Sequence, residues 1–197
     1  MDDAGDAGRK ALLVLLIIII AGSSFYLGFY SGKKEALQTG QSIPSEVQSS
    51  SLYLTFSPKG DAEDAIIGLI QSANQTVDVE MYIFTNSNLA NALIDAKKRG
   101  IAVRVILGSV EGEDITNLIT ILEANGIEPR DATPLYKTMH SKIMIVDGKL
   151  VLIGSHNWSQ SAMFSNREVS VVISDPQIAL QLEEIFNSDW SRSSPLQ

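Results

Sequence analysis

Four side chains that can bind or attack a phosphate group lie on two neighbouring segments of the chain: His140, Lys142, Ser155 and Asn157. The ammonium, hydroxyl and carboxamide groups can donate hydrogen bonds to anionic oxygens, and a neutral imidazole can attack phosphorus or transfer a proton. The pattern therefore indicates a phosphate site. The structural alternative is that His140 and Lys142 are solvated residues entering a strand, while the other two form turns.

The dipeptide Asp147-Gly148 is expected to bring these side chains together, because it is typical of a two-residue β-hairpin turn. In such a hairpin His140 faces Ser155. Opposed residues share a face of the sheet and side chains alternate along each strand, so all four side chains project to one side. His156 projects to the other side. A three-residue loop would invalidate this derivation.

Strands and helices alternate through most of the chain beyond residue 51. Strands are predicted where apolar or β-branched residues alternate or run together, and helices where apolar residues recur at helical spacing. The predicted strands are 52–56, 76–84, 101–107, 127–130, 141–146, 150–155 and 168–173. The predicted helices are 62–73, 88–99, 114–124 and 177–190. This order indicates a layered α/β domain.

Residues 11–30 are 20 consecutive positions without a charge, enough at about 1.5 Å per residue to cross a bilayer core of roughly 30 Å. An uncleaved transmembrane anchor is favoured by the aromatic residues that end the run, and a cleaved signal peptide is the alternative. Basic residues flank both ends, so they barely decide the orientation. We expect an extracytoplasmic domain, secreted if the segment is cleaved. Residues 1–10 then form a tail, 31–51 a flexible linker and 52–197 the folded domain.

The composition excludes several functional classes. The 197 residues include no Cys and two His, which rules out disulfides, zinc fingers and thiol nucleophiles and leaves little material for a metal site. Neither histidine stands at a recognised metal-ligand spacing, so no metal and no cofactor are expected. The net charge of −8 argues against a protein that coats nucleic acid through bulk basicity, although a local basic patch is compatible with it.

Three linked motifs contain the candidate residues. Residues 140–147 have the form H-x-K-x4-D, residues 154–157 the form G-S-x-N, and residues 166–168 the form N-x-E. These motifs, in this order, resemble the phospholipase D superfamily, and the resemblance covers nearly all of residues 52–190. Linked motifs are more specific than any one of them. The resemblance implies a mixed β-sheet flanked by helices on both faces.

The resemblance also implies a role for each matching residue. His140 would be the nucleophile, forming a phosphohistidine that water then hydrolyses. Lys142, Asn157 and Ser155 would hold the non-bridging phosphate oxygens as charge redistributes. Glu168 would accept a hydrogen bond from the imidazole and fix its tautomer. A surface carboxylate without that role is the alternative for Glu168.

Two further motif positions are ambiguous. Asp147 belongs to the family signature, yet it has the wrong strand parity to share a face with His140 and stands immediately before the turn glycine. We expect Asp147 to be mainly structural, with a catalytic role left open. Asn166 either orients the loop before Glu168 or caps it.

The chain has one motif, whereas superfamily members with two motifs build one site from both. The resemblance requires a second histidine to protonate the leaving oxygen, and His156 is expected to face away. The expectation is therefore a homodimer with two-fold symmetry, in which each chain gives one His, Lys and Asn to a shared site. The alternatives are a monomer with a different acid and an inactive half-site.

Three functions are compatible with these observations. The first is a membrane-tethered, metal-independent endonuclease acting on DNA or RNA, because a short single-motif chain with an N-terminal hydrophobic segment looks like the small bacterial endonucleases of the superfamily. The second is a phospholipase D or cardiolipin-type hydrolase, which an anchor would place near lipid head groups. The third is an inactive membrane scaffold. Basic residues near the site would favour nucleic acid as the substrate, whereas the acidic net charge opposes long-range attraction of polyanions. The candidates for such local cations are Arg130, Lys137, Lys149 and Arg167.

Overall fold

The computed structural model describes residues 51–58 and 61–196. The predicted tail at 1–10, the hydrophobic segment at 11–30 and all but the last residue of the linker at 31–51 lie outside the described residues. Within the described part of the chain, no helix combines the length and hydropathy that a membrane crossing requires.

The described residues form eight strands and five helices. The strands are β1 (Ser51–Ser57), β2 (Thr76–Met81), β3 (Ala102–Leu107), β4 (Arg130–Asp131), β5 (Lys142–Val146), β6 (Leu150–Gly154), β7 (Glu168–Ser174) and β8 (Ser194–Pro195). The helices are α1 (Ala62–Ser72), α2 (Ser87–Lys98), α3 (Glu113–Ala124), α4 (Gln160–Phe164) and α5 (Pro176–Arg192). Every predicted element is present. The short α4 and β8 carry too little periodicity to be predicted, and β4 begins at Arg130 rather than at residue 127.

The strands form one mixed sheet in the order β1-β7-β6-β5-β2-β3-β4-β8. The β2–β3 and β3–β4 pairs are parallel, and the other pairs are antiparallel. Helices α1, α2 and α3 cover one face of the sheet and α5 covers part of the other. The predicted mixed sheet with helices on both faces is therefore confirmed.

The central strand β2 is buried on both faces, and its alternate residues serve two cores. Val77, Val79 and Met81 pack in the larger cluster, with side chains such as Ile66 of α1 and Leu93 of α2. The residues between them, Asp78 and Glu80, project towards α5 and are buried although they carry carboxylates. Because burying an unpaired charge is costly, each of these carboxylates needs an explanation.

The predicted two-residue hairpin turn is wrong. Val146 pairs with Leu150 rather than Lys149, so the loop has three residues. Asp147 and Gly148 have φ angles of 53° and 61°, and the Lys149 amide donates to the Val146 carbonyl at 3.0 Å. The Lys149 carbonyl accepts from the Asp175 amide at 3.2 Å instead of joining the β5–β6 ladder. The extra residue thus belongs to a turn that is also bonded to the chain after β7.

The longer loop shifts the register by one residue, so a continued ladder would place His140 opposite His156 and not opposite Ser155. The ladder does not continue that far. Strand β5 begins at Lys142 and β6 ends at Gly154, which leaves both His140 and Ser155 outside the paired region. Their side-chain directions therefore depend on the flanking segments and not on strand parity.

Strand polarity brings several chain ends to one edge of the sheet, here called the site edge. Strands β1, β2, β3 and β6 end there, while β5 and β7 begin there, as the pairings Met81–Lys142 and Ser57–Glu168 show. Strand β1 enters from the opposite edge, where Ser51 pairs with Ser174. The site edge is the carboxyl end of the parallel strands, which is where ligands bind in open α/β sheets.

Candidate active site

A cavity of about 470 Å³ opens at the site edge and is lined by His140, Lys142, Gly154, Ser155, Asn157 and Glu168. The four residues that the hairpin argument grouped together do line one cavity, although the register behind that argument was wrong. Glu168, expected from the resemblance alone, lies beside them. The remaining candidate, Asp147, is not among the lining residues.

His140 is positioned by contacts with the end of β2. The Tyr82 amide donates to the Ser141 carbonyl at 3.1 Å, and the Tyr82 ring lies 4.4 Å from the imidazole ring, centroid to centroid. The segment before His140 also passes close to Gly108, where a Cβ atom would overlap the Met139 carbonyl. Glycine at 108 therefore lets this segment approach the sheet.

Lys142 is buried at the start of β5, and its ammonium is held against His140. Its Nζ donates to the His140 carbonyl at 2.9 Å and lies 3.2 Å from Nδ1 of the same residue. It also faces the Tyr82 ring at 5.2 Å from the centroid. Burial lowers the pKa of Lys142, because it disfavours the charged form, and the Glu168 carboxylate partly offsets this. The cavity therefore holds a desolvated cation, suited to an anionic ligand.

Gly154 permits the close approach that places Ser155 beside Glu168. A Cβ atom at position 154 would overlap Ser170 and the Val169 carbonyl of β7. Ser155 then bonds to β7 through its backbone and side chain: its amide donates to the Val169 carbonyl at 3.0 Å, and its hydroxyl accepts from the Val169 amide at 3.1 Å. The glycine of the G-S-x-N motif is therefore required by the close packing of β6 against β7.

The Glu168 carboxylate accepts hydrogen bonds from its neighbours in sequence and across the sheet. Ser155 Oγ donates to it at 2.5 Å and Asn166 Nδ2 at 3.2 Å. Within the described residues no hydrogen bond joins Glu168 to His140, so the expected bond to the imidazole is absent from this arrangement. Asn166 thus helps to orient the Glu168 carboxylate, a contact that neither of its two predicted roles included.

Asn157 is fixed by the residue that follows it. Trp158 is fully buried, packs edge-to-face on Phe84 at 4.9 Å between ring centroids, and donates its amide to the Ile83 carbonyl at 2.9 Å. Oδ1 of Asn157 is buried without a hydrogen-bond partner in the described part of the chain. A buried acceptor without a partner is costly, so this position is suited to a donor from a bound molecule or a second chain.

Residues 66–190 match the family model described as cardiolipin synthase, PLD-like domain. The chain belongs to the phospholipase D superfamily. Residues from all three motifs line the cavity, although Asp147 of the H-x-K-x4-D motif does not: His140, Lys142, Gly154, Ser155, Asn157 and Glu168.

Relatives within the superfamily differ in how much of their length the chain covers. A mitochondrial cardiolipin hydrolase from Chlamydomonas reinhardtii is 31% identical over 120 residues, which are 60% of this chain and 53% of that protein. A phospholipase D from Rickettsia prowazekii is 28% identical over 182 residues, 90% of this chain and 85% of that protein. The chain thus spans about half the length of the cardiolipin hydrolases it matches.

Among solved structures, a phospholipase D family member from Salmonella typhimurium, Nuc, has the same fold with a TM-score of 0.72 and 28% identity. The match covers 76% of this chain and 99% of that chain. A phospholipase D-like domain of this size therefore accounts for nearly all of the described residues.

The second histidine of this phospholipase D-like domain lies outside the cavity. His156 is 2% exposed, and its Nδ1 lies 2.8 Å from the Ser170 hydroxyl. Burial lowers the pKa of His156, and the Glu168 carboxylate partly offsets this. A buried imidazole that favours its neutral form is poorly placed to protonate a leaving group in the cavity.

Asp147 lies at the opposite edge of the sheet, about 17 Å from Lys142 at roughly 3.3 Å per strand residue. Its carboxylate accepts from the backbone amides of Asn74, Gln75 and Thr76, at 2.9, 2.7 and 2.9 Å. Burial raises the pKa of Asp147, but these backbone hydrogen bonds lower it more, and the net shift is downward. The structural expectation for Asp147 agrees with its position, whereas a catalytic role does not fit.

The sequence did not identify Tyr82 as a site residue. The available signal was its position directly after β2, at the site edge.

The predicted cations differ in position. Arg130 donates to the Trp190 carbonyl at 3.0 Å and stacks on its ring, and Lys149 lies in the turn at the far edge. Lys137 and Arg167 stand on the segments leading to His140 and Glu168, so two of the four remain candidates for substrate contact.

Proposed function

We propose that this protein is a metal-independent phosphodiesterase that forms a phosphohistidine at His140, and that it is a membrane-tethered endonuclease hydrolysing DNA or RNA. The observation that carries the proposal is the convergence of His140, Lys142, Ser155, Asn157 and Glu168 on one cavity. This set offers a nucleophile, donors for phosphate oxygens and a carboxylate that can fix an imidazole tautomer.

In the proposed first step, Nε2 of His140 attacks phosphorus and the bond to the leaving oxygen breaks. A second histidine gives that oxygen a proton. In the next step the same histidine takes a proton from water, which attacks the phosphohistidine and releases His140. Lys142, Ser155 and Asn157 stabilise the non-bridging oxygens in both steps.

Attack through Nε2 requires the proton of His140 to be on Nδ1. Lys142 Nζ lies 3.2 Å from Nδ1, and a charged ammonium can only donate, so this contact favours the neutral imidazole with its proton on Nε2. A bound phosphodiester would draw Lys142 away, because the negative charge shared by its two non-bridging oxygens attracts an ammonium more strongly than a neutral imidazole does. The imidazole then changes tautomer: Nε2 gives up its proton to solvent, Nδ1 takes one up, and the Nδ1–H is proposed to donate a hydrogen bond to Glu168 in exchange for the bond from Ser155.

The second histidine is proposed to come from another copy of the chain, in a two-fold homodimer with a shared site. One histidine lines the cavity, and His156 is buried away from it. Next to the Ser57–Glu168 pair, Phe56 and Val169 are opposed on β1 and β7 and are 43% and 50% exposed. These two apolar side chains at the site edge are proposed to contact the second copy.

Nucleic acid is the proposed substrate because the chain resembles small bacterial endonucleases of the superfamily in length and motif number. A phospholipase D or cardiolipin-type hydrolase is the second candidate, favoured by relatives named phospholipase D and cardiolipin hydrolase. An inactive scaffold is least favoured, because His140, Lys142, Asn157 and Glu168 are all present. The membrane tether and an extracytoplasmic domain are proposed from residues 11–30 alone.

In the deciding experiment, the full chain is solubilised in detergent and incubated with four substrates, each in the presence of EDTA. The substrates are single-stranded DNA, double-stranded DNA, RNA and cardiolipin vesicles. We expect nucleic acid to be cleaved. EDTA should not reduce this activity, and His140→Ala should abolish it. The matched control is Lys149→Ala, which removes a cation at the far edge and should keep full activity. Hydrolysis of lipid alone would replace the endonuclease proposal by its alternative, and loss of all activity in EDTA would exclude the metal-independent mechanism.

A mixing experiment tests the shared site. Wild-type and His140→Ala chains are unfolded, mixed in equal amounts and refolded together. If each site needs a histidine from both chains, about one quarter of the all-wild-type activity survives. Independent sites would retain about half, and that result would contradict the dimeric mechanism.

A further inference from the structure

A second cavity, of about 200 Å³, lies between the N-terminal halves of α2 and α3 and is here called the helix groove. Both helices begin at the site edge, because α2 follows β2 and α3 follows β3. Residues four apart on α2 and three apart on α3 share a helix face, so each helix contributes a polar pair to the groove. The polar lining consists of Thr85, Ser87, Asn91, Asp114 and Asn117.

The polar side chains of the helix groove are not engaged by other parts of the protein. None of these five side chains has a hydrogen-bond partner within the described residues. The two hydroxyls and the two amides can each donate and accept, whereas the carboxylate of Asp114 can only accept. No lining residue is basic, so the negative charge of Asp114 disfavours a phosphate in the groove. The ligand that fits these groups is polar and uncharged.

Three apolar residues complete the groove and suit it to a flat ring. Ala90 and Leu118 are buried, and Ile121 is 48% exposed. Sites for drug-sized ligands have volumes of about 300–1,000 Å³, so this smaller groove holds roughly one ring system. A nucleobase has two faces that pack on apolar side chains and an edge that forms hydrogen bonds. Its chemistry therefore matches the lining.

The helix groove and the candidate active site share one segment of chain. The Thr85 and Asn86 amides both donate to the Trp158 carbonyl, at 2.8 and 2.9 Å. Thr85 lines the groove, and Asn157, the residue before Trp158, lines the active-site cavity. Through the Thr85 hydrogen bond and the covalent lengths, the Cα atoms of Thr85 and Asn157 are at most about 11 Å apart. A nucleotide next to the scissile phosphate can span this distance.

The shared segment is held in place by buried side chains. Asn86 is fully buried, caps α2 with its side-chain oxygen and donates from Nδ2 to Glu63 at 2.6 Å. Phe84 and Trp158 are fully buried and pack edge to face. A ligand in the groove therefore has a fixed position relative to Asn157.

We propose that the helix groove binds the base of the nucleotide next to the scissile phosphate, and that Asp114 selects bases with an exocyclic amino group. The Asp114 carboxylate can accept a hydrogen bond from the amino group of adenine, cytosine or guanine, whereas thymine and uracil lack that donor. This inference rests on the proposed endonuclease function and names a specificity determinant for it. The binding of a free nucleoside does not depend on catalysis.

The first test measures binding without catalysis. The full chain in detergent is prepared with isotope-labelled asparagine, and the side-chain NMR signals of Asn91 and Asn117 are identified by their loss in Asn91→Ser and Asn117→Ser. Nucleosides carry no phosphate, so they probe the groove alone. We expect cytidine to shift both signals. Uridine has a carbonyl oxygen in place of the amino group and should bind about tenfold more weakly.

Two variants of α3 assign that difference to one carboxylate. Asp114→Asn should remove the preference for cytidine over uridine. Glu123→Gln is the matched control, because it makes the same charge change at an exposed position about 180° around the helix from Asp114, and it should keep the preference. Equal binding of cytidine and uridine to wild type would overturn the selection by Asp114. Shifts caused by glycerophosphoglycerol and not by cytidine would overturn the base-binding site in favour of a lipid head group.

The second test measures which bases flank the cleavage position. Oligonucleotides with random sequence are cleaved and the ends of the products are sequenced. Wild type should favour amino-bearing bases on one side of the cut by about tenfold over thymine or uracil, Asp114→Asn should lose this preference, and Glu123→Gln should keep it. An unchanged preference in active Asp114→Asn refutes the inference and leaves the endonuclease proposal standing. Cytidine binding by a chain that cleaves no nucleic acid refutes the endonuclease proposal and leaves the base-binding site standing.

Discussion

The Lys142 ammonium donates a hydrogen bond to the backbone carbonyl of His140 and lies 3.2 Å from the imidazole Nδ1 of the same residue. The cation that is expected to bind the phosphate therefore also contacts the proposed nucleophile. In the proposed mechanism, phosphate binding and activation of His140 are coupled through this one side chain.

Replacing Lys142 by Met should abolish this coupling and leave the buried hydrocarbon chain largely in place. We expect kcat on the substrate that the cleavage assay identifies to fall by about 10²–10³-fold, the usual effect of removing one donor to a developing charge. Lys142→Arg should recover little, because a planar guanidinium cannot occupy the position of an ammonium between Tyr82 and His140. Steady-state kinetics and urea unfolding of both variants provide the measurement, and a Met variant with wild-type kcat would contradict the assignment.

Gly154 should not tolerate a side chain. A Cβ atom there would overlap Ser170 and the Val169 carbonyl, so Gly154→Ala must separate β6 from β7. We expect a loss of about 2–3 kcal/mol in the free energy of unfolding, with reduced activity because Ser155 moves away from Glu168. Gly68→Ala in α1 is the matched control, since no atom other than its chain neighbours and the backbone of its own helix lies within 4 Å of its Cβ position. It should be neutral or stabilise by up to about 1 kcal/mol.

Asp147 should contribute to stability in a pH-dependent way and not to catalysis. Its pKa is lowered in the folded protein, so its stabilisation is present above the ordinary carboxyl range and is lost as pH falls through the folded pKa. Asp147→Asn should cost about 1–2 kcal/mol at neutral pH, and less in acid. Urea unfolding at about pH 7 and pH 3 measures both values.

Two controls separate the parts of the Asp147 prediction. Asp147→Ala should lose more than Asp147→Asn, because alanine tolerates a φ of 53° less well than asparagine. Phosphodiesterase activity of the folded Asn variant should equal that of wild type. A large loss of kcat without a loss of stability would return Asp147 to the catalytic residues.

Glu80→Gln should stabilise the protein at alkaline pH. The folded pKa of Glu80 is about 7 against an ordinary value of 4.5, so the folded state binds the proton more tightly than the unfolded state. The resulting stabilisation is complete below the ordinary value and is lost as pH rises through about 7. Relative to wild type, Glu80→Gln should therefore gain about 3 kcal/mol near pH 8 and little near pH 4. Chemical unfolding at the two pH values checks the sign, and a gain that is independent of pH would be the contrary result.

The sequence was sufficient for every element except α4 and β8, and for the cavity residues other than the misplaced candidate Asp147, because these follow from local periodicity and from linked motifs. The hairpin shows where local reasoning stops. Asp147-Gly148 correctly predicted the position of a turn. The length of that turn also depends on Asp175, whose amide bonds to Lys149, and on the amides before β2 that bind Asp147. Those partners are distant in sequence, and no local pattern reports them.

The same limit explains the residues that were missed. Glu80 is one residue of a strand and Asp189 one residue of an amphipathic helix. Only the packing of α5 on β2 buries Glu80 and places the charge of Asp189 near it, which together raise the pKa of Glu80. Tyr82 lies within the predicted strand 76–84, yet its contact with His140 depends on how residues 139–141 pass over Gly108. The hydrogen bond from Ser155 to Glu168 likewise depends on the close packing of β6 against β7 at Gly154. The G-S-x-N motif shows that a glycine stands there but not which residues it packs against.

The direction of β1 has a consequence for how the protein would work on a long polymer. The strand enters at Ser51 and reaches the site edge only at Ser57, a distance of about 20 Å at roughly 3.3 Å per residue. Whatever precedes Ser51 is therefore joined to the end of the sheet that lies away from the cavity. In the proposed membrane-tethered endonuclease, the tether would therefore join the domain away from the cavity, and a long nucleic acid bound at the cavity would not meet the point of attachment.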